Sequence, residues 1–439
     1  MVPPFSPCTV VGSWPRPAWL LAELKQQNRG NTDLAIPPQT PVSFIGAQSH
    51  GNSVKQEVFT TSVVGSWPRP AWLLQELRRK NKGEISYEQF SEVADEAVLL
   101  AIKYQEDAGI DVITDGEQRR DNFYSFVADK LEGIKLMTVA ELMDYVQDKS
   151  RFEEMLSRLD VPAFAIKSPV VVGPIRKRRP IALDELQFLK EHTKRRIKVP
   201  LPGPYMLTRA SWVEPLSREA YWSREDLAME YVRLLREEIL QLAEAGANFV
   251  QLDEPTLTEV VYGGVSTQTF MCAAIMAKTD PKEELEFATE LINKTVKGIT
   301  GVKVGIHVCR GNWTKAEGSL LRGDYAPLIP YFQEMKVDQF VLEFATERAG
   351  SLNVFEGASG IRELGLGVVN PRTDEVESVD FIVSKVKEAL RYFDPDKIYL
   401  NPDCGFGTFA ESPVNRAPVA YRKLRSMVEA AENLRREYV

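Results

Sequence analysis

Hydrophobic and polar positions follow two alternating patterns from about residue 60 to the C-terminus. Short apolar runs predict eight β-strands, at 63–66, 111–115, 198–203, 249–253, 304–309, 340–343, 365–370 and 397–403. Apolar residues spaced three and four apart predict amphipathic helices between many of them, at 87–107, 223–245, 281–296, 324–335 and 376–391. This alternation predicts an α/β fold, a (β/α)8 TIM-type barrel, in which the stretch 120–196 is an insertion after strand 2.

An open, doubly wound sheet is the alternative fold for the same alternation of strands and helices. That fold needs a glycine-rich nucleotide loop after its first strand, and the sequence has none at that place. The closed barrel is therefore the preferred prediction.

The first part of the chain contains a duplicated segment. Residues 10–30 and 63–83 agree at 16 of 21 positions, and both begin with VVGSWPRPAWLL. The stretch between the copies is rich in Pro, Gln, Ser, Thr and Asn and has no clear period, which is typical of a linker. We expect residues 1–62 to form an N-terminal extension that is disordered or competes with the second copy for one position in the sheet. Residues 63–439 are expected to form the barrel.

The composition narrows the class of protein. The 439 residues carry 62 acidic and 54 basic side chains, a formal net charge of −8, which argues against a general nucleic-acid binder. Four cysteines are too few for a disulfide scaffold and indicate a reducing compartment. The sequence shows neither an apolar run of membrane-spanning length nor a secretory signal. We expect a cytoplasmic enzyme that binds neither nucleic acid nor membrane.

Four residues at predicted strand ends are of the types that bind zinc. His307 and Cys309 lie two positions apart on one strand, so both side chains share a face. Glu343 and Cys404 end two other strands at the same rim of the predicted barrel. An imidazole, two thiolates and a carboxylate form a tetrahedral ligand set, so the sequence predicts a Zn²⁺ site.

The charge of this ligand set indicates its chemistry. Two thiolates and a carboxylate leave the metal centre net negative, which makes it poorly suited to activating water. A thiol bound at such a centre loses its proton and keeps much of its nucleophilicity. The sequence therefore predicts alkylation of a small-molecule thiol by an alkyl donor.

Six motifs in one order resemble the catalytic barrel of the cobalamin-independent methionine synthase family: VVGSWPRP, DGEQRRD, QLDEPTLTE, HVCRGN, LEFA and NPDCGFGT. The resemblance covers the chain from about residue 63 to the C-terminus. It implies a zinc enzyme that transfers a methyl group to homocysteine sulfur, with zinc bound by His307, Cys309, Glu343 and Cys404. It also implies that the amino-acid part of homocysteine is bound by Val64, Gly65, Ser66, Glu117 and Asp253, with a further acidic position at Glu259.

The second copy of the duplicated segment is the one that fits this family pattern. Ser66 lies 51 positions before Glu117, as the family pattern requires, whereas the first copy would place Ser13 104 positions before it. Ser13 is therefore not expected in the site.

The sequence departs from the family pattern at three places. Full-length members have two barrels and this chain one, so the alkyl donor stays open between methyl-folate and a methylated corrinoid protein. Arg372 stands where the family has a proton-donating histidine, so no catalytic acid is assigned. Trp212 is the nearest match to the aromatic residue that stacks on the pterin.

Other functions remain open at this point. Epoxyalkane:coenzyme M transferases resemble the same barrel, and their thiol carries a sulfonate in place of an ammonium. Glu117 and Asp253 favour an ammonium, but a sulfonate has candidate partners in Arg119, Arg120, Arg209 and Arg372. A barrel with a purely structural zinc site and a metal-free barrel of decarboxylase type are the remaining alternatives.

Overall fold

The computed structural model describes residues 57–145, 167–263 and 280–438. The first copy of the duplicated segment, with Ser13, lies outside these residues. The predicted N-terminal extension therefore stays a prediction.

The strands of the described residues form one parallel sheet of eight and one antiparallel pair. The eight-stranded sheet has the order β1-β10-β9-β8-β7-β6-β5-β2, and a parallel bridge between Ser62 and Val112 joins its two ends. This confirms the predicted TIM-type barrel. The strands are β1 (Thr60–Thr61), β2 (Val112–Ile113), β3 (Leu131–Thr138), β4 (Lys167–Lys177), β5 (Arg196–Pro202), β6 (Phe249–Asp253), β7 (Lys303–Val308), β8 (Gln339–Glu343), β9 (Glu363–Val369) and β10 (Ile398–Pro402).

Three of the longer helices begin where the sequence supplies N-terminal caps. Ser86 and Ser223 each form a capping box, and the Asp280 side chain accepts from the first-turn amides of the helix that follows it. The α-helices are Ala71–Asn81, Tyr87–Ala108, Val127–Lys130, Val139–Leu142, Leu183–His192, Pro204–Ser211, Glu214–Ser217, Arg224–Glu244, Thr256–Tyr262, Pro281–Val296, Ile329–Glu334, Val379–Ala389 and Ala417–Tyr438. None of the helices among the described residues is long and apolar enough to cross a membrane.

The insertion after strand 2 is confirmed. Strands β3 and β4 pair as an antiparallel hairpin, and they lie in the sequence between β2 and β5, which are neighbours in the barrel. The hairpin is separate from the eight-stranded sheet. The two strands of the insertion are therefore not part of the barrel.

The position of the first strand differs from the prediction. The apolar run 63–66 follows the regular strand, which is Thr60–Thr61. The carbonyl oxygens of Val63 and Val64 accept hydrogen bonds from side chains, Lys198 Nζ at 2.9 Å and Gln251 Nε2 at 2.9 Å. An apolar, buried sequence predicts a strand, but only the backbone partners decide where a strand ends.

The two faces of the barrel strands carry different side chains. On β6, Val250 and Leu252 are fully buried within the main hydrophobic core. Gln251 and Asp253 alternate with them and, as their hydrogen bonds show, face the barrel interior. The interior is thus polar, and the residues at its carboxyl-terminal rim form the site described below.

Truncation of a core side chain tests this packing. Leu252→Ala removes a side chain with no exposed surface, so we expect a loss of about 2–5 kcal/mol in the free energy of unfolding. Leu240→Ala, on a helix face where the leucine is 43% exposed, is the matched control and should cost less than about 1 kcal/mol. Urea unfolding followed by circular dichroism measures both, and equal midpoints would contradict the assignment of Leu252 to the core.

Candidate active site

A cavity of about 640 Å³ opens at the carboxyl-terminal ends of the barrel strands. This is the usual place and size for a small-molecule site in this fold. Nine of the ten site residues predicted from the sequence line it: Val64, Gly65, Ser66, Glu117, Asp253, Glu259, His307, Cys309 and Cys404. Glu343 is the exception.

Three of the predicted metal ligands form a cluster at one end of the cavity. The ligand atoms of His307, Cys309 and Cys404 all lie within 4.8 Å of one another, and all three residues are buried. His307 Nδ1 lies 3.0 Å from the carbonyl oxygen of Val341, and its Nε2 is buried with no hydrogen-bond partner among the described residues. A backbone carbonyl on one ring nitrogen and a vacant second nitrogen are typical of a metal-binding histidine. The cluster can therefore hold a metal ion.

The cluster also favours an ionised thiol. A hydrogen bond from Cys404 lowers the pKa of Cys309 well below its usual value, against the opposing effect of burial, and the nearby His307 acts in the same direction. Burial is the largest effect on His307 and lowers its pKa, but Cys309, Asp253 and the carbonyl of Val341 together raise the pKa to about 9. Thiolate and imidazolium thus stabilise each other, and a bound metal cation would take the place of the imidazolium proton.

Glu343 is held by other residues. Its Oε1 accepts from Asn312 Nδ2 and Arg348 Nη2, each at 2.6 Å, and its Oε2 accepts from the backbone N–H of Arg310 at 3.0 Å. Arg310 Nη1 lies 3.3 Å from the same oxygen. The structure therefore brings together three of the four predicted ligands, and the fourth carboxylate is committed to two arginines and an amide.

Glu117, which also lines the cavity, is held in an unusual backbone conformation. Its φ of 53° lies in the left-handed region, which costs free energy for a residue with a side chain. Arg69 Nη2 donates to its carbonyl oxygen at 2.7 Å and Asp115 Oδ1 accepts from its N–H at 2.9 Å. A Cβ at position 65 would lie 2.4 Å from Glu117 Oε1, so only glycine leaves room for this carboxylate.

Burial has the largest effect on the pKa of two acids that line the cavity and interact with each other, Glu117 and Asp253. Burial raises the pKa of Glu117 to about 7, although Arg120 lowers it, and Asp253 raises it further. The pKa of Asp253 is raised to about 6, again chiefly by burial, with His307 opposing. Two poorly hydrated carboxylates close together attract a cation, and the ammonium of an amino acid meets that need.

Asp253 and Glu254, which are adjacent in the sequence, have different roles. Asp253 lines the cavity, whereas both oxygens of Glu254 accept from the backbone N–H groups of Tyr205 and Met206, at 2.8 Å each. Glu254 therefore caps the helix Pro204–Ser211 at its N-terminus. The sequence motif alone does not separate these roles.

Ser66 lies where two chain segments approach closely. Its carbonyl accepts from the N–H of Phe406 at 2.9 Å, and its Oγ accepts from the N–H of Gly407 at 3.3 Å. A Cβ at position 405 would lie 2.1 Å from Ser66 Oγ, which explains the glycine directly after Cys404. The backbone after β1 and the backbone after β10 thus form one wall of the cavity.

Glu259 lines the cavity from the helix Thr256–Tyr262 and interacts electrostatically with Arg209. Glu259 raises the pKa of Arg209, after the larger opposing effect of burial and the contribution of Tyr205. Part of the negative charge of Glu259 is therefore balanced by protein, which makes it a weaker attractor of a cation than Glu117 and Asp253.

The residues considered for an anion or a pterin lie outside the cavity lining. Arg119 pairs with Asp95, Arg120 pairs with Glu185 at 2.6 Å, and Arg209 donates to Tyr205 at 2.8 Å. Arg372 is buried and donates to Asn312 Oδ1 at 3.0 Å and to Glu317. Trp212 is half-buried and packs against the hydrophobic core.

Several lining residues were not predicted from the sequence. Part of the cavity wall is apolar and consists of Phe123, Pro255, Trp313 and Leu321. Asn312 also lines the cavity, and its side chain donates a hydrogen bond to Glu343. Asn312 and Trp313 lie within or directly after the HVCRGN motif, so their closeness to His307 and Cys309 in the sequence was the available signal. Phe123 lies in the insertion, and nothing in the sequence indicated that it would line the cavity.

Comparison with known proteins agrees with this geometry. The family model "Cobalamin-independent synthase, Catalytic domain" matches residues 59–433. The chain belongs to the cobalamin-independent methionine synthase family. Members of this family are methyltransferases, which agrees with the thiol alkylation predicted from the ligand set.

Individual members of the cobalamin-independent methionine synthase family match over most of their length. The methionine synthase of Pyrococcus furiosus is 32% identical over 87% of this chain and 94% of its own, and that of Saccharolobus solfataricus is 29% identical over 87% and 97%. The structure of a B12-independent methionine synthase from Shewanella sp. W3-18-1, in complex with selenomethionine, has a TM-score of 0.65 at 23% identity and covers 87% of this chain and 99% of that one. This last match shows the common fold.

Metal binding tests the cluster directly. We expect the purified full chain to bind about one Zn²⁺ tightly, and Cys404→Ser to lose that binding because a tetrahedral site cannot form without the second thiolate. Elemental analysis after dialysis measures the stoichiometry. Cys272→Ser, which removes a cysteine of another part of the sequence, is the matched control and should retain the metal. Tight zinc binding by Cys404→Ser would contradict the cluster as the metal site.

Proposed function

We propose that this protein is a zinc-dependent methyltransferase that methylates the sulfur of homocysteine to give methionine. The observation that carries the proposal is the shared cavity, which is lined by the His307, Cys309 and Cys404 cluster and by the buried acids Glu117 and Asp253. The cluster suits a thiol, and the acids suit the ammonium of an amino acid. The names of the family's relatives support the same reaction.

The donor types of the cluster fit zinc. Two thiols and an imidazole are borderline-soft ligands, and an oxygen-preferring cation such as Mg²⁺ does not select them. Zn²⁺ bound there supplies a Lewis acid that keeps the substrate sulfur deprotonated at neutral pH. Glu343 is proposed as the fourth ligand, a role that requires its carboxylate to give up contacts with Asn312, Arg310 or Arg348.

The other predicted residues of the cavity lining bind and orient the amino-acid part of the substrate. Glu117 and Asp253 take the ammonium, with Glu259 as a further acidic contact. The Ser66 hydroxyl and the backbone at Val64 and Gly65 take the carboxylate. Holding both groups of the amino acid fixes the direction in which its sulfur points, and such positioning contributes much of the acceleration of a bimolecular reaction.

The proposed reaction is a nucleophilic displacement at carbon. A sulfur electron pair forms the new S–CH₃ bond, while the bond between methyl carbon and donor breaks and its electron pair leaves with the donor. The thiol proton is released before attack and is available to the departing donor. No residue is proposed as the acid that delivers it, because Arg372 holds its protons too tightly near neutral pH.

The methyl donor enters through the apolar part of the cavity lined by Phe123, Trp313 and Leu321. These walls exclude water from the sulfur and the methyl carbon. Methyl-folate and a methylated corrinoid protein both remain donors to be tested. We also propose a cytoplasmic location and no nucleic-acid partner, in line with the composition.

The four arginines considered as partners of a sulfonate all contact other protein groups, which favours homocysteine over a sulfonate thiol as the substrate. Arg119, Arg120, Arg209 and Arg372 are committed to protein partners, while two acids face the cavity. An activity matrix of homocysteine and coenzyme M against methyl-folate, methylcobalamin and a short epoxide tests the choice with zinc present. Methyl transfer to homocysteine supports the proposal, and exclusive alkylation of coenzyme M would refute it.

The pKa of Glu117 predicts how homocysteine use depends on pH. Because this carboxyl has a pKa of about 7, it becomes protonated as the pH falls and loses its attraction for the ammonium. We expect the KM for homocysteine to rise about tenfold between about pH 8 and about pH 6. Steady-state kinetics across this range measure it. In Glu117→Gln the KM should be high and nearly constant with pH, whereas the exposed-glutamate control Glu92→Gln should behave as wild type; a wild-type profile in Glu117→Gln would contradict the assignment.

Replacement of Glu343 tests its proposed place among the zinc ligands. Glu343→Gln keeps the size and the hydrogen-bond acceptor but removes the charge, so we expect zinc affinity to fall about 10- to 100-fold. Competition with a chromophoric chelator measures the affinity. Glu363→Gln, the same change on the adjacent strand β9, is the control and should bind zinc as wild type. Unchanged affinity in Glu343→Gln would leave Glu343 as a partner of the arginines only.

A further inference from the structure

We propose that Gln251 and Lys198, two buried side chains of the barrel interior, are positioning residues for the amino-acid part of the thiol substrate. They hold Asp253 and the backbone of Val63 and Val64 in the geometry that receives the ammonium and carboxylate. This inference rests on the proposed function. Neither residue lines the cavity, so both act through the groups that do.

The hydrogen bonds of Gln251 connect the two binding elements. Its Nε2 donates to Asp253 Oδ1 at 2.8 Å and to the carbonyl oxygen of Val64 at 2.9 Å. Asp253 belongs to β6, and Val64 belongs to the segment after β1, on the far side of β2 and β5 in the barrel. One amide group therefore sets the spacing between the ammonium-binding acid and the segment that ends in Ser66.

Lys198 determines which way the amide of Gln251 points. Lys198 Nζ donates to Gln251 Oε1 at 3.2 Å and to the carbonyl oxygen of Val63 at 2.9 Å. In its protonated form this amine is a donor only, so it must then face the oxygen of the amide. The NH₂ group of Gln251 is then turned toward its two acceptors, and a flipped amide would place an oxygen against Asp253.

A third side chain completes the support of this segment. Thr114 Oγ1 donates to the carbonyl oxygen of Gly65 at 2.9 Å. Three successive carbonyl groups, those of Val63, Val64 and Gly65, are thus held by buried side chains from β5, β6 and the end of β2. A segment with these fixed contacts presents Ser66 to the cavity in one conformation.

The placement of Lys198 is costly for folding. The residue is 1% exposed, and burial lowers its pKa to about 7, with Asp253 opposing that shift. A buried amine that makes no hydrogen bond to a carboxylate stabilises the fold less than an apolar side chain of similar volume would. The position of this amine between Gln251 and Val63 agrees with a role in specifying geometry.

The test compares two thiols in the zinc-loaded full chain, homocysteine and 1-propanethiol, which lacks the amino-acid part. Gln251→Met keeps the length of the side chain and removes its hydrogen bonds. We expect kcat/KM for homocysteine to fall about tenfold or more, mainly through KM, and kcat/KM for 1-propanethiol to change less than about twofold. General damage to the barrel would lower both values alike.

Gln339→Met is the matched control. Gln339 is also buried in the barrel, on β8, and its amide donates to Glu363 at 3.2 Å, away from the Val63–Gly65 segment. We expect this variant to keep the wild-type preference for homocysteine. Lys198→Met should show the same selective loss as Gln251→Met, to a smaller extent, because the amide is then free to flip.

Gln251→Glu is a second variant that removes the same hydrogen bonds. It retains the contact with Lys198 but offers no donor to Val64 or Asp253, so it should also lose homocysteine selectivity. Calorimetric titration with homocysteine should show affinity about tenfold weaker at unchanged zinc content. Wild-type selectivity in both variants, or failure of both to fold while Gln339→Met folds, would overturn the positioning role. Equal use of the two thiols by the wild-type protein would instead overturn the proposed function.

Discussion

Closure of eight parallel strands into a ring is the constraint on which the site depends. Because all the strands run in one direction, their carboxyl ends meet at one rim, and each strand contributes only one or two residues there. His307 and Cys309, Cys404, Asp253 and Glu117 come from four different strand ends, and the ring brings them to one cavity. The bridge from Ser62 to Val112 joins the first and last members of the sheet, together with hydrogen bonds of Thr61 with Asp111 and of Thr114 with Gly65.

Exclusion of water gives these residues their chemical character. Burial raises the pKa of Glu117 and Asp253, so each acid gains by meeting a cation in the cavity. The same burial would be prohibitive for Glu343 without Arg310 and Arg348, which supply two positive charges at hydrogen-bond distance. Glu117 has one arginine 3.7 Å away, whereas Glu343 has two arginines at hydrogen-bond distance and is the more fully neutralised of the two acids.

The polar barrel interior connects the strands beneath the cavity. Gln251 contacts both Asp253 and Val64, and Lys198 contacts Val63 and Gln251. Two glycines allow close packing at the rim. Gly65 leaves space for the side chain of Glu117, and Gly405 leaves space for the side chain of Ser66. The geometry of the rim therefore depends on two glycines of the cavity lining and on Gln251 and Lys198, which are not part of that lining.

The sequence alone determined the class of fold and most of the site. Strand and helix periods are local properties, so they predicted the barrel and the insertion. The residue types at the strand ends predicted the metal cluster, and the resemblance to a known family supplied the other cavity-lining residues that were predicted. Tertiary structure decided where β1 ends and which residues contact Glu343, Gln251 and Lys198. The hydrogen bonds of Lys198 with Val63 and of Gln251 with Val64 join residues 135 and 187 positions apart, and Glu343 is contacted by Arg310, Asn312 and Arg348 among the donors near the rim. No local period encodes that choice, because it is made only when the barrel closes.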